Sequence, residues 1–196
     1  MVIFATIHRA MERVSTWAVW IGGFGLLLCA LMIAVEVVGR KLGGLRISGT
    51  DEYSGYVFAG ATVWAYAYCL IHRSHIRIDA LYNVVSPRMR AVMDVLGLSL
   101  LGFYISFFTL KAWGVFLESW EKNSVSVTPE LTPLWIPQIF WVTGLTFFTI
   151  VTLFLIAYTL ILLLSGQIGA VQRLAGTMSI QEEMAEETRG VKELGK

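Results

Sequence analysis

Long apolar runs separated by short polar stretches set the pattern of this chain. Four runs reach the ~20 residues that a helix needs to cross a hydrocarbon layer ~30 Å thick. They cover residues 14–38, 53–71, 91–117 and 135–164. Apolar positions in these runs are continuous and do not alternate, which favours helices over the period-two pattern of a membrane barrel. The expected fold is an all-α integral membrane protein with four transmembrane helices. A segment 1–13 precedes a four-helix membrane domain at 14–164, and a polar tail follows at 165–196.

The connections differ in chemistry. Residues 39–50 contain Gly, Arg and Lys, whereas 118–134 is polar and contains Thr128-Pro129 and Thr132-Pro133. Residues 72–90 are charged and then amphipathic. Ile78, Leu81, Tyr82, Val85 and Met89 recur at helical spacing on one side, with Arg77, Asp79, Asn83 and Ser86 on the other. That pattern predicts a short amphipathic helix lying in the interface between the second and third spans. Pro87 ends it, or starts the third span with Ser86 as cap. The arginine loop is equally suited to anionic lipid.

Arg9 and Arg13 precede the first run as they would in a signal peptide, but 14–38 is longer than a cleaved apolar segment. Leu28 also stands where a lipid-attachment motif wants a small residue before Cys29. The run reads as a retained helix. Trp17, Trp20, Trp113, Trp120, Trp135 and Trp141 lie towards run ends, where interfacial anchors belong, and Trp64 lies deeper as a packing residue. Gly55/Ala59 and Ala61/Ala65 are small pairs that let a neighbouring helix approach closely.

Composition agrees with the runs: 56% of residues are hydrophobic, above the usual share for soluble domains. A net charge of +1 leaves no field to attract nucleic acid. Cys29 and Cys69 both lie in apolar runs, so neither a disulfide framework nor a metal site is expected. His8, His72 and His75 lie at or beyond span ends, where they cannot hold a haem inside the membrane. Hydrolase, metalloprotease and phosphate-loop signatures are missing. No catalytic residue, metal or cofactor is therefore expected, and the chain does not read as an enzyme.

Arginine and lysine near the span ends set the expected orientation. With the N-terminus in the cytoplasm, Arg9, Arg13, Arg73, Arg77, Arg88, Arg90 and Arg173 are inside, against Arg40, Lys41, Arg46 and Lys122 outside. Both termini are then cytoplasmic. Inside this frame the ionisable residues are the informative ones. Glu36 and Arg40 are spaced i, i+4 on one face of the first helix. Glu36 and Lys111 fall at similar depth on the first and third helices and form a candidate intramembrane pair; the alternative is that each snorkels separately. Asp51 and Glu52 open the second helix at the positive end of its dipole, with Thr50 placed to cap it. His75 can titrate near neutral pH.

These residues carry a resemblance. Glu36-Val-Val-Gly-Arg40, Gly49-Thr50-Asp51-Glu52, Arg73-Ser-His75-Ile-Arg77-Ile-Asp79 and Pro87-Arg88 follow an order and spacing similar to the small membrane subunit, DctQ type, of tripartite ATP-independent periplasmic (TRAP) transporters. The resemblance covers roughly residues 10–165. The chain departs from it at Lys41 and at Gly49 or Thr50, where the family often has aromatics. The resemblance implies a bacterial inner-membrane location and two partners. One is a periplasmic substrate-binding protein that captures an organic anion such as a carboxylate. The other is a large membrane subunit, DctM type, that moves it by an elevator motion coupled to sodium. The small subunit would brace the immobile part of the large one and contact membrane lipids. Glu36, Arg40, Asp51, Glu52, His75, Asp79 and Arg88 are the candidate interface residues.

Two rival readings are an anchor subunit of a respiratory complex and a small stand-alone channel. An anchor calls for cofactor ligands inside the spans, and a channel calls for a shared polar face through the membrane depth. The middle thirds of these runs are almost wholly apolar. The orientation is directly testable by labelling single cysteines in sealed cells. Positions near Met1, Asn83 and Gln181 are expected to be shielded, and positions near Arg46 and Ser126 to react from outside. Outside labelling at Asn83 would reverse the orientation.

Overall fold

Hydrocarbon offers no partner to a backbone amide, so an apolar segment inside it must close its hydrogen bonds on itself. The computed structural model describes residues 2–44, 48–74 and 85–176. It contains α1 (Val2–Gly43), α2 (Thr50–Ile71), α3 (Pro87–Glu121), α4 (Trp135–Leu164) and α5 (Ile168–Ala175). The first four are long and apolar enough to cross a membrane. The interfacial helix expected between the second and third spans falls mainly on residues 75–84, which lie outside the described residues.

The helix bounds follow from local chemistry. α4 coincides with the expected span. α3 starts at Pro87, whose missing N–H costs nothing in a first turn, with Ser86 at the N-cap position but without a side-chain cap bond. α2 starts three residues before the expected span, and its cap differs from expectation. Gly49 holds the N-cap position with φ 79°, and Thr50 is the first helical residue, turned inward and buried. A side chain at Gly49 would be strained in that conformation and would meet the Tyr53 ring. α1 departs most. The helix runs unbroken from Val2 and so takes in residues ahead of the expected span. Its 42 residues give a length of ~63 Å at 1.5 Å per residue, about twice the hydrocarbon thickness.

The helices pack in the series α1–α2–α4–α3, so α1 and α3 are separated by the two helices between them. Each contact is made where a side chain is small. Gly22 of α1 lies on Ala61, and Gly25 on Val57. Gly144 of α4 lies beneath Trp64 and Val63 of α2. Trp64 is the packing residue expected: its indole N–H donates to the Phe140 carbonyl at 3.1 Å, and its ring stacks on Phe147 at 5.4 Å. Of the two small pairs on α2, Ala61 seats α1, whereas Gly55 has nothing within 4 Å.

Between α3 and α4 the contact is partly polar. Thr109 Oγ1 and Thr149 Oγ1 share a hydrogen bond of 2.8 Å, and the Trp113 indole N–H donates to Thr146 Oγ1 at 3.0 Å. Val63, Ala67, Leu98, Ile105, Val142, Leu145, Phe148 and Val151 fill the space among α2, α3 and α4. By contrast α1 leaves Trp17, Trp20, Ile21, Phe24 and Leu27 exposed. It touches α4 at its first turns, where Phe4 stacks on Phe154 and Tyr158 at 5.8 and 5.0 Å.

After α4 the chain turns at Gly166 (φ 71°) and enters α5. Val171 of α5 is buried in one cluster with Ala91, Val95 and Leu162, and the Gln172 side-chain amide donates to the Pro87 carbonyl at 3.2 Å. Residues 177–196 lie outside the described residues.

The crossing of α2 and α4 gives a stability test. A Cβ on Gly144 would lie 2.7 Å from both Trp64 and Val63, while one on Gly114 meets nothing within 4 Å. Gly144→Val is expected to destabilise the purified protein by about 1–3 kcal/mol, the usual cost of overpacking. Gly114→Val should change little. Thermal unfolding of both variants in detergent checks this, and equal melting temperatures would refute the close-packed crossing.

Candidate functional site

The series of helices has two polar ends. The α1–α2 and α3–α4 connections meet at one, here called the Glu52 end. The start of α3 and α5 meet at the other, the Arg88 end, where α2 also finishes.

At the Glu52 end the residues before α4 fold back on themselves. The Ser126 N–H donates to the Thr132 carbonyl at 2.9 Å, and the Leu134 N–H to the Ser124 carbonyl at 3.0 Å. Val125 and Pro133 form an antiparallel bridge between them. This turn is fastened to α2 through one carboxylate. Glu52 accepts from the Tyr56 hydroxyl at 2.7 Å, one turn along its own helix, and from the Thr128 hydroxyl across the gap. Thr128 in turn shares a 2.5 Å hydrogen bond with Ser126. The Ser48 hydroxyl donates to Glu130, which ties the α1–α2 connection to the same turn.

Glu36 completes the arrangement from α1. Its carboxylate accepts from Arg40 of the next turn and from the Thr50 hydroxyl. The two members of the ion pair sit differently: the Glu36 side chain is 9% exposed and that of Arg40 59%. The acid is thus packed towards the protein and the base faces out. Glu36, Arg40, Asp51, Glu52, Thr128 and Glu130 line a pocket of about 440 Å³. Four of these six side chains are carboxylates, so the pocket presents acceptors to a basic or hydrogen-bond-donating surface. Beyond the end of α3, Glu118 accepts from Lys122 at 2.5 Å, and this contact holds the lysine above its usual range.

Of the sequence candidates, Glu36, Arg40, Asp51 and Glu52 are therefore gathered in one place, with Glu130, Thr128 and Tyr56 added to them. Tyr56 is readable in retrospect as the i+4 neighbour of Glu52; Thr128 and Glu130 are more than 70 residues away in sequence and gave no local signal. The candidate pair of Glu36 and Lys111 does not form. Glu36 is engaged by Arg40 and Thr50, and the Lys111 ammonium lies 5.4 Å from the centre of the Phe107 ring. Similar depth does not make them neighbours, because α2 and α4 stand between their helices.

At the Arg88 end, Arg88 is exposed on the first turn of α3. His75 and Asp79 lie outside the described residues. Two acids unremarked in the sequence reading take part here. Glu12 of α1 approaches His72 Nε2 at 3.8 Å, while the imidazole stacks on Tyr68 and its Nδ1 lies 3.0 Å from the Tyr68 carbonyl. Asp94 is buried in α3 at 3% exposure. Its position inside the third apolar run was the available signal, since a carboxylate there has to be packed against protein.

Among protein families, the one described as the DctQ component of tripartite ATP-independent periplasmic transporters matches residues 28–164. No curated protein and no solved structure matches the chain.

The fastening role of Glu52 predicts a local effect. Replacing Glu52 by Ala removes the acceptor that holds Thr128 and Tyr56. Hydrogen exchange of the backbone amides at Ser126, Leu131 and Leu134 is expected to quicken by about tenfold or more, as for loss of a charged acceptor. Glu118→Ala, which breaks only the contact with Lys122, should leave those amides at their original rate. Unchanged exchange in Glu52→Ala would show that the turn holds itself.

Proposed function

The chain belongs to the DctQ component family of tripartite ATP-independent periplasmic transporters, and from that premise we propose that it is the stationary small permease subunit of a sodium-coupled uptake system for organic anions such as carboxylates. The observation that carries this reading is the way the spans are used. The space among α2, α3 and α4 is filled by apolar side chains, and α1 lies outside them against α2. A solute path needs polar groups lining a cavity through the membrane depth. Helices packed solid in this manner suit a brace.

In this proposal the brace holds a large elevator-type membrane subunit, which carries the substrate site. A periplasmic binding protein delivers the anion. The location is the bacterial inner membrane with both termini in the cytoplasm, in line with the excess of arginine at the Arg88 end. Glu36, Arg40, Asp51 and Glu52 at one end, and His75, Asp79 and Arg88 at the other, are the proposed contacts with the large subunit. Charges placed at span ends can stay partly hydrated while pairing across an interface, and removing one member of a desolvated pair costs about 2–5 kcal/mol.

Reconstitution tests the proposal. Liposomes holding this chain alone, with a sodium gradient and an organic acid outside, are expected to show no uptake. Uptake should appear when the large subunit and the binding protein are added. Asp79→Ala should weaken recovery of the two membrane subunits together, whereas Glu182→Ala in the tail should not. Transport by the chain alone would overturn the brace.

A further inference from the structure

Lys111 is a charged group inside a membrane span. It lies on α3 within the apolar run 91–117. The opposite face of α3 is covered: Gly102, Ile105, Thr109 and Ala112 are buried. The Lys111 face is bare, with Phe103, Tyr104, Phe107 and Leu110 exposed and Lys111 exposed among them.

Snorkelling is the usual escape for such a lysine, and here the geometry works against it. Side chains on a helix lean towards its N-terminus. The N-terminus of α3 is at the Arg88 end, so Lys111 leans away from the nearer interface and into the membrane. Its ammonium accordingly lies over Phe107, one turn deeper, at 5.4 Å. Trp120 and Trp135, edge-on and 4.9 Å apart, lie at the Glu52 end of α3 and α4. Trp120 is nine residues beyond Lys111, ~13 Å of helix rise, well over the reach of a lysine side chain. Glu118, the next acid along the same face, is seven residues away and already holds Lys122. Among the described residues no carboxylate pairs with Lys111, and α1 with Glu36 is on the far side of the series.

We propose that the bare face of α3 centred on Lys111 is where a transmembrane helix of the large subunit docks, and that this helix carries an Asp or Glu at the depth of Phe107 that pairs with the Lys111 ammonium. The inference rests on the brace reading above and adds its membrane-embedded contact. An isolated cation in hydrocarbon is costly, and a carboxylate facing it removes that cost for both groups. The rings of Phe103, Tyr104 and Phe107 supply the apolar contact around the pair and keep water from it. The occupant is thus specified by charge as well as shape, which an acyl chain would not satisfy.

The test uses the two membrane subunits expressed together. In native membranes a lipid-soluble carbodiimide should join Lys111 directly to an Asp or Glu of the large subunit, read as a linked peptide pair by mass spectrometry. Lys111→Arg should keep the complex intact and lose the linkage, since a guanidinium does not couple. Lys111→Leu should weaken the complex by roughly 30-fold or more in detergent, the lower end for removing one member of a buried interfacial pair, while its amount in the membrane is unchanged. A Lys111→Leu complex as tight as the original overturns the inference, and so does a photo-crosslinker at Leu110 that captures lipid alone. In both cases wild-type subunits that still purify together leave the brace reading standing. Wild-type subunits that never associate sink both.

Discussion

The absence of water inside the membrane governs this structure. Each span must close its own backbone hydrogen bonds, which makes it a helix. Burying apolar side chains against other helices then gains little over burying them in lipid, so the helices need other reasons to meet. Here the reasons are close approach and side-chain hydrogen bonds. Gly22, Gly25, Gly102 and Gly144 let neighbouring side chains or backbone come to contact distance. Thr109, Thr146 and Thr149 supply hydroxyls that cross from α3 to α4, and Trp64 supplies an indole N–H that crosses from α2 to α4.

These contacts are unevenly shared. α4 receives both α2 and α3, and its buried residues run from Val142 to Leu162. α1 receives only α2 along most of its length, and most of its apolar surface remains bare. A self-sufficient bundle would bury one stripe of every helix. α1 and the Lys111 face of α3 instead leave whole faces open, as the proposed docking of a second membrane subunit requires.

Charge is placed with the same economy. Glu36, Glu52 and Glu130 each accept from a hydroxyl or a guanidinium at the end where two connections meet. Among the described residues these acids link the two connections to each other and to α2. Lys122 is matched by Glu118 just beyond the span. Lys111 differs from these in lying inside the apolar run 91–117, where among the described residues no carboxylate pairs with it.

Sequence alone determined that there are four spans and roughly where they lie. The apolar run 135–164 coincides with α4, because the length and hydropathy of a span are local quantities. The family was legible for a similar reason: Glu36 with Arg40 and Asp51 with Glu52 are short-range marks at span ends. The partners of those marks were not legible. Glu36 and Lys111 share a depth, and depth can be counted along a chain, but lateral neighbours cannot. Only the series α1–α2–α4–α3 shows that two helices separate them. The link from Glu52 to Thr128 depends on how the turn at 124–134 folds back, and α5 depends on an apolar seat at Ala91 and Val95 that exists only once α3 and α4 have packed. Helix identity is set within each segment by the solvent it meets; which faces touch is set between segments, by small residues and hydroxyls whose counterparts lie far away in sequence.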